Sequence, residues 1–523
     1  MFVFRNNTIE RFFPSSYSFS GYDDVSVIPE NEDAYVWFYQ APIKFDNGLL
    51  AEEINAMRQK FQMVVNQISP SKNMIAFTMD WPYLAPISDS DFRVKEAIAK
   101  YNELLVSSAS AHSNLKVIDI REFTRQYPIA ELMDWKFYFL SQMGLNPRLA
   151  KPFQEWFAKK LDQIALKRKK CLVLDLDNTL WGGVLGEDGI DGIKIGGDYP
   201  GKAFLYFQQA LLELSKNGVI LTVCSKNNEK DVFELWEKNP FLVLRKEHFA
   251  AWRINWQDKA TNIKELAEEL NIGLDSFVFV DDNPTERELI RQMLPMVSVP
   301  EFPDQPYELP VFFESLVENY FKVYAITDED RSKTEQYKAN AQRVNLQKSF
   351  ADFDDFLVSL DIHLTIEEAN EHNIPRIAQM TQKTNQFNLT TKRYTDADIK
   401  AMVQQGCKVY CLGVADKFGD SGITGCMIVA GNEIDTFLLS CRILGKGIEF
   451  AFMKQVLQSL KEEGLIELKA KYIPTAKNAQ VADFYDRCGF VRVSSSESGE
   501  TDYAIALHNL DLKVNDVYHI EIK

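Results

Sequence analysis

Three apolar runs constrain this chain most: Cys171-Leu172-Val173-Leu174, Val219 to Cys224 with Thr222 as its one polar residue, and Phe277-Val278-Phe279-Val280. A strand without polar residues on either face is buried on both. Helical spacing over 203–217, 229–238 and 259–270 separates the runs. The combination predicts a parallel sheet held between two helix layers. Each run ends on short polar or acidic residues: Asp175-Leu176-Asp177-Asn178-Thr179, Ser225-Lys226-Asn227, and Asp281-Asp282-Asn283-Pro284. Open α/β sheets hold their ligands beyond the carboxyl ends of the strands. The functional site is therefore expected where these segments meet.

Two carboxylates at i and i+2, on a loop leaving a strand, can turn toward one point. One can attack phosphorus and divide a hard displacement into two easier steps. The other can protonate the leaving oxygen and then activate water. Two anions facing a phosphoester repel it, so a cation is required, and Mg²⁺ suits carboxylate and phosphate oxygens. Asp-x-Asp-x-Thr at this position resembles motif I of the haloacid dehalogenase (HAD) superfamily. That resemblance implies Asp175 as nucleophile and Asp177 as general acid/base. It also implies Ser225 as the motif II hydroxyl, Lys259 as the motif III cation, and Asp281 and Asp282 as the motif IV metal acids. Asp282 is the better candidate for direct coordination. Asp281 either orients Lys259 or holds a metal-bound water. With Asp175 and the backbone carbonyl of Asp177 they form the expected metal set. Thr179, Lys226 and Asn227 are expected at the substrate.

The stretch Asp175 to Gly189, with Trp181-Gly182-Gly183-Val184-Leu185-Gly186, narrows the match. So do Cys224-Ser225-Lys226-Asn227-Asn228, Val280 to Glu288, and Thr381 to Thr390. Over about 170–510 the chain resembles the FkbH-like branch of HAD, subfamily IIIC. Trp181 to Pro200 is long enough only for a small flap, so the core is expected to be Rossmannoid and capless. The resemblance implies a phosphatase acting on a phosphorylated metabolite. It also implies an alternative, loading of a glyceryl unit from a glyceryl phosphate donor onto an acyl carrier protein. Loading needs a thiol, and Cys224 beside Ser225 is the candidate acyl relay. Equally, Cys224 reads as a small residue completing an apolar strand, facing away from the site if Ser225 faces it.

From about 350 a third α/β block begins, with strands near Lys408–Val414, Gly422–Ala430 and Ile434–Leu439 and a helix from Gly447 to Glu463. Arg442-x-x-Gly445-x-Gly447 is similar to the pyrophosphate loop of GNAT-type N-acyltransferases, where helix N-terminal N–H groups hold a phosphate. Asn478 and Phe484-Tyr485, followed by Cys488-Gly489-Phe490, match the end of that fold. The resemblance implies CoA or phosphopantetheine near Arg442, Gly445, Gly447 and Asn478, with Tyr485 beside the thiol. The N-terminal block resembles an SGNH-hydrolase-like α/β domain. However, Ser18-Phe19-Ser20-Gly21 does not form that family's serine block, and Asp134-Trp135-Lys136-Phe137 lacks the histidine. No hydrolase triad is expected there, only recognition or packing. The third reading, from outside the enzymes, is a scaffold that docks a carrier protein.

The fold class is thus α/β multidomain: an SGNH-like domain over 1–150, a HAD core over 168–300, a helical linker over 301–350 and a GNAT-like domain over 351–523. A length of 523 residues fits about three domains. The formal charge, 58 − 75 = −17, carries no basic footprint of a general nucleic-acid binder, so no nucleic acid is expected. There is no apolar run long enough to span a membrane and no secretory signal at the start. The seven cysteines never fall in CxxC spacing, and the six histidines are scattered. A cytoplasmic protein without structural zinc or disulfides is expected, and the histidines read as ordinary surface or core residues.

Overall fold

A computed structural model describes residues 1–80, 88–326, 336–337, 339, 343, 346, 350, 352–440, 443–496, 498–510 and 512–523. The chain forms two compact units, Met1–Ile164 with Tyr394–Gly406, and Ala165–Arg393 with Cys407–Lys523.

In the first unit, β1 (Phe2–Arg5), β2 (Ser18–Tyr22), β3 (Ala34–Phe38), β4 (Asn73–Phe77) and β5 (Leu115–Ile118) form a parallel sheet in the order β2-β1-β3-β4-β5. Alternation sorts the side chains. Phe4, Tyr35, Trp37 and Ala76 pack under the helices Asn47–Gln67 and Arg93–Ala111. Val36, Phe38, Ile75 and Phe77 meet Phe153, Trp156 and Phe157 of the helix Ala150–Ile164 on the other face. That helix completes the first unit's core, so the unit extends beyond residue 150.

The second unit contains two sheets. The first holds β6 (Cys171–Leu174), β7 (Ile220–Ser225), β8 (Ala251–Ile254) and β9 (Phe277–Val280), all parallel, in the order β8-β7-β6-β9. Leu172, Leu174, Leu221, Val223, Val278 and Val280 face one helix layer. Cys171, Val173, Ile220, Cys224, Phe277 and Phe279 face the other. The segment expected to be a linker begins differently. Leu309, Leu316 and Phe321 bury against the same cluster as Phe207 of the helix Gly201–Lys216. Residues 309–321 are therefore a layer of this domain, drawn in by an apolar face that the prolines at 300–310 obscured.

The second sheet holds β10 (His363–Glu368), β11 (Phe387–Asn388), β12 (Lys408–Asp416), β13 (Gly419–Ala430), β14 (Glu433–Leu439), β15 (Glu467–Tyr472), β16 (Val491–Ser495), β17 (Thr501–Ala506) and β18 (His519–Ile522). Its order is β16-β17-β15-β14-β13-β12-β10-β18, with β11 on β14. The parallel pair β14 and β15 share only Glu433↔Lys469 and Ile434↔Ala470. β13 lines the other edge of β14 throughout, so β11, at Leu438 and Leu439, fills the edge from which β15 diverges. The helix Ile448–Glu462 crosses over between the two. This mixed α/β arrangement is the one expected of the third block. Among the described residues no helix is long and apolar enough to cross a membrane.

Candidate active site

Sequence-local devices aim the site residues. Asp258 caps the helix Lys259–Leu270 by accepting from the Thr261 N–H, which fixes Lys259 as its first residue. Asn283 caps the helix Pro284–Met293, with Pro284 at the first helical position. That cap ends β9 abruptly and leaves Asp281 and Asp282 in the turn. Asn178 takes φ 54°, and its Oδ1 accepts from the Gly183 N–H, folding the chain after Asp177 back on itself.

These turns bring the expected acids together. Lys259, 3% exposed, places Nζ 2.9 Å from Asp175 Oδ1 and 2.6 Å from Asp281 Oδ2. The ammonium's hydrogen bond is directed at Asp281. Asp175 Oδ1 is buried and, among the described residues, meets only the Lys259 ammonium. One carboxylate oxygen each from Asp175, Asp281 and Asp282 lie within 4.8 Å of one another. Burial and the facing Asp175 push Asp281 up to about 7 and Asp282 up to about 6. Burial alone would lower the Lys259 pKa, but Asp175 and Asp281 outweigh it and raise it. An all-oxygen donor set of three clustered acids, two of them with raised pKa values, fits a hard divalent cation. Octahedral Mg²⁺ spans about 4.2 Å between opposite ligands.

Asp177 stands apart from that trio. Its Oδ1 accepts from Trp181 Nε1 at 2.9 Å and from the Leu185 N–H at 3.0 Å, and its Oδ2 accepts from Asn227 Nδ2 at 2.9 Å. Its carboxylate is engaged by these three donors and lies outside the cluster of three acids, so any hold on a cation falls to its backbone carbonyl. Trp181 was not among the expected site residues. Its indole role depends on how the flap folds, and its only sequence signal is its position four residues after Asp177. The flap itself is small: Gly182 and Lys194 exchange backbone hydrogen bonds around the short helical segment Leu185–Gly192.

Other expected residues take different places. Asn227 bridges Asp177 and Ser225, with Nδ2 3.2 Å from Ser225 Oγ, and so ties these two side chains together rather than reaching outward. Thr179 is fully buried, and its Oγ1 accepts from the Asp282 N–H, so it braces the acidic turn. Lys226 pairs with Glu286 at 2.6 Å. Arg287, which the motif reading did not single out, donates from Nη1 to the carbonyls of Asp281 and Asp282. Arg287 and Arg291 both bind the exposed Glu301. Cys224 does not open onto the site. It is fully buried in the apolar layer, its Sγ directed at the Lys259 carbonyl, and burial pushes the thiol up to about 12. A thiol held there is a core residue, not an accessible acyl relay.

In the third block, Arg442 lies outside the described residues. Gly445 (φ 77°) and Gly447 (φ 73°) take left-handed conformations leading into the helix Ile448–Glu462. Asn478 is fully engaged. Its Oδ1 accepts from the Thr475 N–H and the Tyr472 hydroxyl, and its Nδ2 donates to the carbonyls of Asn388 and Ile473. It locks β11 to the end of β15 and has no donor left for a ligand. Tyr485 is buried among Phe484, Phe490 and Tyr503, with its hydroxyl unpartnered and its pKa pushed well up by burial.

The signature of the NIF family, NLI interacting factor-like phosphatase, matches residues 170–329. No curated protein matches the chain. Among solved structures, the chain is similar to the N-terminal part of protein BF1531 from Bacteroides fragilis, which contains a phosphatase domain and is complexed with Mg. The identity is 27% and the TM-score 0.51, covering 62% of this chain and 94% of that one. Residues 170–329 are thus a HAD-type phosphatase domain. Over 28% of its length the chain also matches the ribosomal-protein-S18-alanine N-acetyltransferase from Escherichia coli, at 14% identity, a TM-score of 0.22 and 94% of that chain. A spermidine N-acetyltransferase from Vibrio cholerae, in complex with CoA and spermine, matches over the same share at 12% identity, a TM-score of 0.23 and 97% of that chain.

Proposed function

We propose that the chain is a Mg²⁺-dependent phosphoric monoester hydrolase of the FkbH-like type, working through an aspartyl-phosphate on Asp175. The observation that carries this is the buried Lys259 ammonium held between Asp175 and Asp281, with Asp282 beside them. Asp175 attacks phosphorus, the bond from phosphorus to the substrate oxygen breaks, and an acyl phosphate forms on the carboxylate. Asp177 gives its proton to the leaving alkoxide. As a carboxylate it then takes a proton from water, whose oxygen attacks phosphorus, releases phosphate and restores Asp175. Ser225 Oγ accepts from Asn227, which leaves its own proton to donate to a phosphoryl oxygen. Lys259 keeps the Asp175 charge from repelling the incoming phosphate. Mg²⁺ held by Asp175, Asp282 and the Asp177 carbonyl, with Asp281 beside it, would neutralise phosphoryl charge. Asp175→Asn tests the reading with a chromogenic phosphomonoester and Mg²⁺. Turnover falls by roughly 10³-fold or more with the melting curve kept, and wild-type-like turnover overturns it.

A second reading, partnership with an acidic carrier protein, has its own support. Lys167, Arg168, Lys169, Lys170, Lys383 and Lys477 line a cleft of about 830 Å³ in the second unit, where Asp275 is the one acid among the described lining residues. The net charge demands such a basic surface before an acidic protein can dock. The cleft adjoins the N-terminal ends of β6, β7 and β9, opposite the carboxylates. A carrier held there would offer its arm to the third block, where the Gly445–Gly447 turn suits a CoA or phosphopantetheine tail. Glyceryl loading then needs an acceptor thiol on the carrier itself, because Cys224 is sealed. Intact mass spectrometry of carrier and chain after incubation with glyceryl phosphate donors tests this, and an unmodified carrier removes it.

A further inference from the structure

The fold gathers side chains that the sequence scatters. β10 and β18 run parallel at the edge of the large sheet, with His363 directly opposite His519. Paired positions on parallel strands present their side chains to the same face. The two imidazoles stack there, with centroids 4.7 Å apart and planes at 21°. Two residues before His363, Asp361 ends the helix Phe353–Leu360 in a left-handed conformation (φ 52°). That turn swings its carboxylate across both rings: Asp361 Oδ1 lies 3.5 Å from His363 Nε2 and 3.2 Å from His519 Nε2. One ligand atom from each of the three lies within 4.8 Å of the others.

We propose that Asp361, His363 and His519 form a binding site for a borderline divalent transition cation of the Zn²⁺ class, separate from the phosphatase centre. Zinc bound at about 2.0–2.1 Å in a tetrahedron holds its ligand atoms about 3.4 Å apart. The two Asp361–His separations bracket that value, and a cation shared by both imidazoles requires the stacked rings to tilt so that their in-plane lone pairs converge on it. Two imidazoles and one carboxylate select Zn²⁺, Ni²⁺ or Cu²⁺ over Mg²⁺, which prefers oxygen alone. All three residues are more than half exposed, so the cation keeps open positions for water. The site has a structural consequence. A cation there clips the four-residue edge strand β18 to β10, and the next residue back, Tyr518, donates its hydroxyl to the Lys446 carbonyl inside the Gly445–Gly447 turn. Metal at the edge thereby steadies that turn.

The test uses the full chain, stripped of metal and then held in excess Mg²⁺ so that the oxygen-only phosphatase centre is filled. Zn²⁺ binding is measured by competition with a chromophoric chelator, and Cu²⁺ coordination by electron paramagnetic resonance. One Zn²⁺ per chain and a nitrogen superhyperfine pattern from Cu²⁺ are expected. His363→Ala and His519→Ala should each lose the nitrogen pattern and weaken Zn²⁺ by about 100-fold or more, since even outer partners of a metal ligand are worth 10–100-fold. Both variants should keep wild-type melting without Zn²⁺ and basal phosphomonoester turnover. Absence of the nitrogen pattern in the wild type, or its persistence in both variants, overturns the assignment.

Discussion

Replacing Lys259 with Met deletes a buried ammonium that touches two buried acids while keeping an unbranched apolar stem. Removing one partner of a buried ion pair costs about 3–5 kcal/mol, because the charge left behind has no compensation. Here two carboxylates are left facing each other. Part of the cost is relieved by protonation. Asp281, already pushed up to about 7 by burial and by Asp175, takes up a proton more readily once Lys259 is gone. The loss is therefore larger at pH 8 than at pH 6. For a domain of this size, about 2–4 °C per kcal/mol predicts a melting drop of roughly 6–20 °C at pH 8 in chelator. Mg²⁺ should then stabilise the variant more than the wild type, because no ammonium competes for the same oxygens. A saturating ligand at 100 times its Kd contributes about 2.7 kcal/mol. Phosphomonoester turnover should fall by roughly 10²–10³-fold. Scanning calorimetry at both pH values, with chelator and with Mg²⁺, reads all of this. An unchanged melting temperature at pH 8 in chelator, or equal Mg²⁺ stabilisation of both proteins, would refute the charge-balance reasoning.

Three further outcomes are expected. The folded pKa values of Asp281 and Asp282, about 7 and about 6, lie above the ordinary 3.8. Their contribution to stability is therefore fully present below about pH 4 and lost as pH rises to 7. The metal-free phosphatase domain should weaken across that window while Mg²⁺ affinity rises, and Asp281→Asn should flatten most of the slope; a wild-type profile already flat from pH 4 to 7 refutes it. Cys224→Ala should keep turnover within a few-fold at a cost of about 1 kcal/mol, and iodoacetamide should reach Cys224 only after unfolding; labelling in the native chain contradicts the sealed thiol. Asn478→Ala should destabilise the third block by about 2–4 kcal/mol without altering phosphomonoester turnover, and a block of unchanged stability would mean its hydrogen bonds hold nothing together.

The strands that carry the acids were legible because nothing polar interrupts them, and the acids because each sits where such a strand must end. β8 was not legible: its Trp252 and Arg253 are partly exposed at the sheet edge and break the apolar run. β1 is equally short, and Phe2–Arg5 at the chain start gives no period to count. Alternation along β7 already pointed Cys224 away from Ser225, and the layers agree. The uses of Thr179, Asn227 and Asn478 could not be separated by residue type, because a side chain that grips a ligand and one that braces a loop offer the same atoms. The apolar face formed by Leu309, Leu316 and Phe321 was present in the sequence, but the prolines before it were the stronger signal.

Glu301 gives a surface position leverage over the chemistry. Its carboxylate is the outer anchor of Arg287, whose guanidinium in turn sets the carbonyls of the acidic turn. Glu301 is itself exposed, so a change there disturbs no core packing and acts on the site through the buried Arg287. The same change leaves Arg287 without that outer anchor, and with it the acidic turn whose carbonyls Arg287 holds. Tolerance of a substitution and innocence of it are therefore different properties in this domain. A drift in metal affinity among natural or engineered variants would be traced to a residue that never meets the metal.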